Sequence, residues 1–374
     1  MLGLALLSLV LALLPALLAA INLATLRTPE PDPGVTPLVS ILIPARNEAG
    51  SIAGTVEAAL ASVGVPVEVL VGDDHSTDAT PDIVRDRAVA DPRLRLVAVP
   101  DLPPGWTGKN HACAVLAEEA AGRHLLFVDA DVTLEPNAAA GLAAHAVRTG
   151  NALVSGVPRQ LTGTLGERLT VPMIGFLLLG YLPMPLMRAR TDPSLSGACG
   201  QLLLAERDAY VAAGGHGAIR ERLHDGIFLT RRFREAGHRT DLVAAHALAS
   251  CRMYRGFDQA WAGFSKNAHE GMATPRALPV WTVLLFGGHV LPWLVVLASL
   301  VGLASSSAGL VAGAAALISL ATRAAITLVC AEAPATIPLH PAAVCTALAI
   351  QWNVLLRPGR AGAGAWKGRS YPVA

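Results

Sequence analysis

The sequence lacks the two glycine-rich signatures that hold nucleotide phosphates in many α/β proteins. The turn after its first predicted strand reads PARNEAG instead of G-x-G-x-x-G, and no G-x-x-x-x-G-K-[ST] occurs in the 374 residues. An ordinary dinucleotide fold and a P-loop therefore lose support. If a nucleotide binds this chain, its phosphates must be held by groups other than a glycine-rich loop.

Clustered cysteine and clustered basic charge are also missing. The five cysteines are far apart and form no C-x-x-C pair, which argues against a zinc site or a disulfide framework and agrees with a reducing compartment. The net charge is only +1, and no run rich in Lys and Arg is interleaved with aromatic residues. The sequence thus gives no reason to expect nucleic acid as a partner.

Apolar residues are abundant, at 53% of the chain, and they concentrate at its two ends. Residues 2–26 carry no charge, and about 25 apolar residues are enough to cross a hydrocarbon core of about 30 Å. We predict a retained transmembrane anchor over residues 1–27. The alternative is a cleaved signal peptide, which usually has a basic start, a shorter apolar core and an A-x-A site.

A second apolar region, residues 279–356, is predicted to hold the C-terminal membrane helices. One span is expected over 279–303 and another over 307–330, which contains Arg323. The last segment, 341–356, has only about 16 residues, near the lower limit for spanning. We therefore expect it to be re-entrant or interfacial.

Charge next to these segments predicts the orientation of the chain. Arg27 and the arginines of the domain that follows favour the cytoplasmic side, by the positive-inside tendency. The basic tail, 357–374, is expected on the same side, which requires that the third C-terminal segment does not cross. We predict a multi-pass protein of the inner (plasma) membrane with a cytoplasmic domain.

Between its apolar ends the chain is predicted to form an α/β domain with a mostly parallel sheet. After a Pro-rich linker at 28–37, strands alternate with helices through the first part of residues 38–278. The segment 169–190 is apolar but is broken by Pro183 and Pro185, and we expect an amphipathic element on the bilayer surface. A packed core helix is the alternative.

Four polar segments lie in the turns of this pattern, where ligands of parallel sheets bind. Each one alone is a common turn or helix cap. The apolar run of HLLFVDADV, for example, ends in Asp129 and Asp131, and unpaired carboxylates at a strand end need a positive partner. The four segments are PARNEAG (44–50), GDDHSTD (72–78), GWTGKNHA (105–112) and DAD (129–131).

Taken in order, these motifs resemble the family 2 glycosyltransferases over about residues 38–270. LPPGWTGKNHA, GFSKNA and WKGRSY are most similar to the membrane-bound subgroup associated with hopanoid and carotenoid glycosylation, including the diaponeurosporenoate type. The resemblance implies a GT-A fold, which is Rossmann-like. It also implies a nucleotide-sugar donor, expected to be a UDP-sugar, and a lipid-like acceptor such as a carotenoid or hopanoid.

The resemblance also implies roles for individual residues. The strand-end acids correspond to Asp73 and Asp74, which would recognise uracil and ribose, and the first turn corresponds to Pro44, Asn47 and Glu48, around the base and ribose. Asp129 and Asp131 would hold a divalent cation on the donor diphosphate, with Asp129 alternatively facing the ribose.

Elementary chemistry supports the metal assignment separately. Mg²⁺ and Mn²⁺ prefer hard carboxylate oxygens and keep substrate phosphates as ligands. In an extended chain, residues 129 and 131 point the same way and Ala130 points into the core. Lys109 is a candidate contact to the same diphosphate, and the alternative is a solvated loop lysine.

A later carboxylate is expected to be the catalytic base. The family's Glu-Asp motif corresponds to His224 and Asp225, so Asp225 would take the proton of the attacking hydroxyl, with inversion at C1. His224 departs from the more usual Glu. Residues 197–218 resemble the acceptor-side strand and loop of the family.

The Q-x-x-R-W motif of processive synthases is absent, and the corresponding region is 254–267. A single sugar transfer is therefore favoured over polymer synthesis. Arg252, Arg255 and Lys266 are candidate diphosphate contacts, or else contacts to the membrane surface. Two other functions stay open on the sequence alone: a nucleotidyltransferase and a non-catalytic membrane scaffold.

Overall fold

The computed structural model describes residues 1–357, 365–366 and 369–370. The strands are β1 Val39–Ala45, β2 Val67–Asp73, β3 Leu94–Ala98, β4 His124–Val128, β5 Val132–Leu134, β6 Leu153–Ser155, β7 Arg159–Gln160, β8 Leu202–Glu206, β9 Thr240–Leu242, β10 Ala249–Cys251, β11 Ala365–Trp366 and β12 Arg369–Ser370.

The helices alternate with the strands through the first part of the chain and dominate its end. They are α1 Leu2–Thr25, α2 Ile52–Leu60, α3 Thr80–Ala90, α4 Gly108–Glu119, α5 Ala138–Thr149, α6 Leu165–Thr170, α7 Met173–Tyr181, α8 Met184–Ala189, α9 Arg207–Ala212, α10 Asp225–Glu235, α11 Phe257–Lys266, α12 Ala277–His289, α13 Leu291–Leu300, α14 Ser306–Val329 and α15 His340–Leu356.

A seven-stranded sheet in the order β3-β2-β1-β4-β8-β6-β9 confirms the predicted α/β class. Within this sheet only β8 runs against its neighbours, so the sheet is mostly parallel. All residues of β1 and β4 are buried, as unbroken apolar runs covered on both faces should be. The register puts Ala45 beside Asp73 and Leu42 beside Phe127, so the strand-end segments after β1, β2 and β4 share one edge. A second sheet, β5-β10-β7, has three strands.

The chain divides into two compact units, which differ from the predicted 38–278 domain. The sheet unit comprises residues 26–160 and 184–252, and the helical unit comprises 1–25, 161–183 and the chain from 253 onward. The sequence could not reveal this division, because segments far apart in the chain pack together in each unit.

The predicted interfacial element at 169–190 is not one element. Its first part forms α7 in the helical unit, where Phe176 is fully buried. The side-chain amide of Asn22 on α1 donates to the carbonyls of Leu179 and Leu182, at 2.7 Å each. This part is therefore a packed helix, the alternative left open above, whereas α8 belongs to the sheet unit. Pro183 lies at the break between them.

In the helical unit, α1 and α14 are each 24 residues long and apolar enough to cross a membrane, among the described residues. The span predicted over 279–303 corresponds to two helices, α12 and α13, which together are apolar enough to cross a membrane but are bent by 43° at Val290. Pro292, in the first turn of α13, explains the break because it has no backbone N–H to continue a helix. The shorter α15 has 17 residues. The WKGRSY motif and the basic tail lie largely outside the described residues.

Candidate active site

The turn after β1, the first of the strand-end turns, is hydrogen-bonded to the turn after β2. Asn47 adopts a left-handed φ of 53°, which Asn tolerates better than most residues. Its side-chain oxygen accepts from the Thr77 amide at 2.7 Å, and its own amide donates to Ser76 Oγ at 3.0 Å. The Glu48 amide donates to Thr80 Oγ1 at 2.8 Å. The structure thus brings Asn47 and Glu48 together with the second turn, whereas Pro44 is buried within β1.

The second turn contains three carboxylates in different settings. Asp73 ends β2 and accepts from the Ser76 amide at 3.3 Å, while Asp74 is 1% exposed and its amide donates to the Ala45 carbonyl. Asp78 accepts from the amides of Ala49 and Thr80, at 3.0 Å each. Asp78 therefore has a structural role, because it links the first turn, through Ala49, to Thr80 at the start of α3.

Asp129 and Asp131 lie in a turn, so the expected extended geometry is wrong. The Val132 amide donates back to the Asp129 carbonyl at 3.0 Å, because the chain leaves β4 and starts β5 of the second sheet within three residues. Ala130 is buried as expected, and its carbonyl accepts from Thr55 Oγ1 at 2.9 Å.

Lys109 lies between two of the predicted site carboxylates. It is in the first turn of α4, and its Nζ is 2.6 Å from Asp129 Oδ1 and 2.8 Å from Asp225 Oδ2. The same ammonium donates to the Gly200 carbonyl at 3.1 Å. Lys109 is thus not a solvated loop lysine. It contacts Asp129 after β4, Gly200 in the loop before β8 and Asp225 at the start of α10, and the last of these is 116 residues away in the chain.

The electrostatics of this group follow from its burial and its pairing. Burial lowers the pKa of Lys109, but the charges of Asp129 and Asp225 outweigh it and raise that pKa well above the ordinary value. Burial likewise raises the pKa of Asp225, but the Lys109 ammonium outweighs it and lowers that pKa to about 2. Lys109 and Asp225 are therefore both charged near neutral pH.

Asp131 is in the opposite situation. Burial and the negative charges of Asp129 and Glu48 raise the pKa of its carboxyl to about 7, although Lys109 opposes this. Three carboxylates that repel one another form a set that a divalent cation would stabilise. Among the described residues no three His, Cys, Asp or Glu side chains gather to hold a metal by themselves. A cation held by Asp129 and Asp131 would therefore need further ligands from outside the chain, such as the oxygens of a diphosphate.

Asp225 is held at the start of α10 by its surroundings. The Gly226 amide donates to its Oδ1 at 2.8 Å, and a Cβ added at Gly200 would collide with the carboxylate. Asn110, four residues after Trp106 in GWTGKNHA, donates through its buried side-chain amide to the carbonyls of Ile219 and Arg222, at 2.8 Å each. The α4 motif therefore positions the loop that leads into the candidate base.

Sequence reasoning missed two buried residues next to this site. The Gln201 carbonyl accepts from the Asp129 amide at 3.2 Å, and its side-chain amide accepts from Gln160 at 2.8 Å and donates to Cys251 Sγ at 3.2 Å. His216 is 1% exposed, and burial lowers its pKa to about 4 despite the charge of Asp225. A polar residue directly before the apolar run of β8 was the available signal for Gln201.

The three basic residues predicted to contact the donor diphosphate belong to different units. Arg252 ends the second segment of the sheet unit, which contains the carboxylates described above. Arg255 and Lys266 belong to the helical unit, where Lys266 is the last residue of α11. Their assignment as diphosphate contacts remains a prediction.

Comparison with known proteins agrees with this arrangement. Residues 40–212 match the family model described as glycosyl transferase family 2. A 4,4'-diaponeurosporenoate glycosyltransferase of Staphylococcus aureus (strain MRSA252) is 28% identical over 256 residues, covering 67% of this chain and 66% of that protein. The match thus spans just under two thirds of the length of this curated relative.

A solved structure shows a similar fold over most of the chain. It is the mannosyltransferase PcManGT from Pyrobaculum calidifontis in complex with GDP-Man and Mn2+, with a TM-score of 0.59 and 21% identity, covering 96% of this chain and 100% of that one. These findings show that residues 40–212 are similar to glycosyl transferase family 2 and that the chain has a fold similar to that of this mannosyltransferase.

Proposed function

We propose that this protein transfers a single sugar, with inversion at C1, from a nucleotide-diphosphate sugar to a hydroxyl group of a lipid-like acceptor. The observation that carries the proposal is the Lys109 ammonium, which lies 2.6 Å from Asp129 and 2.8 Å from Asp225. It joins the strand-end acids, proposed to face the donor, to the carboxylate proposed to activate the acceptor.

Asp225 would act as the general base. An acceptor hydroxyl loses its proton as it attacks the sugar, and a carboxylate within hydrogen-bond reach can take that proton. The ion pair with Lys109 keeps Asp225 charged but makes it a weak base, since its pKa is about 2. A diphosphate beside Asp129 would share the Lys109 ammonium, so that Asp225 would regain basicity when the donor is bound.

Asp129 and Asp131 would hold a Mg²⁺ or Mn²⁺ ion. When bound, such an ion stabilises the negative charge that develops on a departing nucleotide. PcManGT binds GDP-Man and Mn2+, which supports a divalent cation in this fold and leaves the base of the donor open between uracil and guanine. Asn47, Glu48, Asp73 and Asp74 would contact the base and ribose of the donor, and Lys109 its diphosphate.

The acceptor and the cellular location are proposed on separate grounds. The Staphylococcus aureus relative is named for a carotenoid acid, which supports an apolar terpenoid acceptor such as a carotenoid or hopanoid. The two candidate spans, α1 and α14, support attachment to a membrane, where such acceptors dissolve. A multi-pass plasma-membrane protein with its catalytic domain in the cytoplasm follows from the charge pattern.

Product analysis with the full chain in detergent tests the proposal. We expect UDP- or GDP-sugar, a divalent cation and a terpenoid alcohol to give nucleoside diphosphate and a glycolipid, and a chelator to abolish both. Asp225→Asn and Asp131→Asn should each lower turnover about 100-fold or more with the fold retained. Asp82→Asn is the matched control, since Asp82 is exposed on α3 and pairs with Arg85.

Two outcomes would overturn the proposal. Release of pyrophosphate in place of nucleoside diphosphate would indicate a nucleotidyltransferase. Unchanged glycolipid pools in cells that carry Asp131→Asn or Asp225→Asn, measured by mass spectrometry, would indicate a non-catalytic scaffold.

A further inference from the structure

A basic cavity lies in the sheet unit beside β9, the edge strand of the seven-stranded sheet. β9 is three strands away from β4, which leads into Asp129, and neighbouring strands are about 4.8 Å apart, so the lateral separation is roughly 14 Å. The cavity is therefore distinct from the candidate active site. Its volume is about 170 Å³, and it is lined by Arg27, Thr149, Asn151, Arg188, Arg239 and Asp241.

The one carboxylate of the cavity is already fully engaged. Asp241 is 4% exposed, and its Oδ1 accepts from Arg188 Nε at 2.6 Å and from the Leu242 amide at 2.8 Å. Its Oδ2 lies 2.9 Å from His145 Nε2. Burial raises the pKa of Asp241, but these donors outweigh it and lower the pKa. Asp241 therefore stays charged at neutral pH and holds Arg188 in place, together with the Leu242 carbonyl, which accepts from Arg188 Nη2 at 3.0 Å.

The other two arginines are positioned without a carboxylate. Arg239 Nη2 donates to the Thr149 carbonyl at 3.1 Å, and the backbone carbonyl of Arg27 accepts from the Ala244 amide at 2.9 Å. In the described part of the chain neither Arg27 nor Arg239 forms an ion pair, although Arg188 does. Three guanidinium groups around one carboxylate leave an excess of two positive charges.

This combination is suited to a phosphate group. Each guanidinium presents several N–H donors in a planar fork that matches phosphate oxygens, and such charge-assisted hydrogen bonds are the strong ones. Asn151 adds a side-chain amide, which donates to Thr149 Oγ1 at 2.8 Å, while the Thr149 hydroxyl donates to the His145 carbonyl at 2.6 Å. The excess positive charge would be neutralised by one doubly charged or two singly charged phosphate groups.

The position of Arg27 in the chain suggests where the phosphate comes from. Arg27 follows Thr25, the last residue of α1, by two positions, and consecutive Cα atoms are 3.8 Å apart. Because α1 is a candidate membrane span, lipid headgroups are expected close to this arginine.

We propose that the cavity formed by Arg27, Arg188 and Arg239 binds a phosphate group, supplied either by the headgroup of an anionic lipid or by a free phosphate compound. This site is separate from sugar transfer and does not depend on the proposed function.

Binding measurements on the full chain in detergent test the proposal and distinguish the two sources. Short-chain phosphatidylglycerol and inorganic phosphate are titrated separately, with short-chain phosphatidylcholine as the zwitterionic comparison. The cavity variant is Arg27→Gln with Arg239→Gln. The matched control is Arg85→Gln with Arg232→Gln, which removes the same charge from exposed helix positions that pair with Asp82 and Glu235.

We expect wild type and control to bind at least one of the two anions, and the cavity variant to bind it about tenfold or more weakly. Selective binding of phosphatidylglycerol would identify a lipid headgroup as the source, and binding of inorganic phosphate alone would identify a free compound. Arg27→Gln by itself removes a side chain at an exposed position and should give an intermediate loss in a folded protein. Equal affinity of cavity variant and control, or no binding of either anion by wild type, would overturn the proposal.

Discussion

At the scale of single residues, Lys109 dominates the electrostatics of the candidate active site. Its ammonium is shared by Asp129, Asp225 and the Gly200 carbonyl, and each carboxylate is within 2.8 Å of it. Without this charge the two partly buried carboxylates would lose the counter-charge that they share. A buried carboxylate that loses its partner is strongly destabilising, so Lys109 supports the fold as well as the proposed chemistry.

We predict that Lys109→Met lowers the free energy of unfolding by about 2 kcal/mol at pH 7. The sign follows from Asp225: its folded-state pKa, about 2, is below the ordinary value, so pairing stabilises the fold above the ordinary pKa and the effect is lost as pH falls towards 2. The stability gap between wild type and variant should therefore narrow from pH 6 to pH 3. Thermal unfolding followed by tryptophan fluorescence measures it.

The control for this prediction is Arg85→Met, at an exposed position on α3 that pairs with Asp82 only at the surface. Its effect should be small at every pH, because exposed ion pairs contribute about 0–1 kcal/mol. A gap for Lys109→Met that stays constant with pH would show that lost packing, rather than the pairing with Asp225, causes the destabilisation.

At the scale of elements, the loop before β8 and the start of α10 pack without room for a side chain. A Cβ at Gly200 would collide with the Asp225 carboxylate, and a Cβ at Gly226 would lie 2.7 Å from the Ala198 carbonyl. Neither glycine has a positive φ, so close approach and not backbone conformation explains them. This contact sets the direction in which Asp225 points.

We predict that Gly200→Ala lowers turnover about tenfold or more, because the added methyl displaces the Asp225 carboxylate from its place beside Lys109. Nucleoside diphosphate release at saturating donor measures this. Gly54→Ala is the matched control: a Cβ there meets nothing within 4 Å, and it lies inside α2, where Ala is favoured by about 0.5–1 kcal/mol. Full turnover by Gly200→Ala would contradict the role proposed for the observed position of Asp225.

At the scale of the whole molecule, a buried arginine in the helical unit forms an ion pair and also contacts a segment far away in the sequence. Arg323 on the candidate span α14 is 1% exposed and pairs with Glu332. It also donates to the Pro172 carbonyl at 2.9 Å and to Thr336 Oγ1 at 3.2 Å. A charge in an apolar helix is costly unless it is paired inside the protein, and here three residues outside α14 supply its partners.

We predict that Glu332→Gln destabilises the full chain by about 3 kcal/mol or more, because Arg323 is left buried without its counter-charge. The double variant Arg323→Met with Glu332→Leu should recover most of this loss, since apolar residues of similar volume can replace a buried pair. Thermal unfolding in detergent measures both. Asp258→Asn, in the exposed first turn of α11, is the control, and equal losses for the single and the double variant would argue against pairing as the cause.

Much of the architecture could be predicted because it depends on neighbours in the chain. The apolar run of HLLFVDADV forms β4, and a helix follows each of β1 and β2, as the alternating pattern predicts. Alternating apolar strands and helices require a sheet covered on both faces, which is a local pattern. The same holds for the polar turns at strand ends, which put Asp73 and Asp129 at one edge of the sheet.

Contacts between distant residues could only be decided by the tertiary structure. The residues next to Lys109 in the chain do not indicate that it lies between Asp129 and Asp225. The sequence likewise does not indicate that α7 packs on α1, because contacts between segments more than a hundred residues apart form only when the hydrophobic core of each unit is assembled. The order of residues therefore specified the elements, the strand-end acids and the long apolar helices. Only the tertiary structure decided which charged groups are paired, because burying a lysine or an aspartate costs too much free energy unless it contacts a partner.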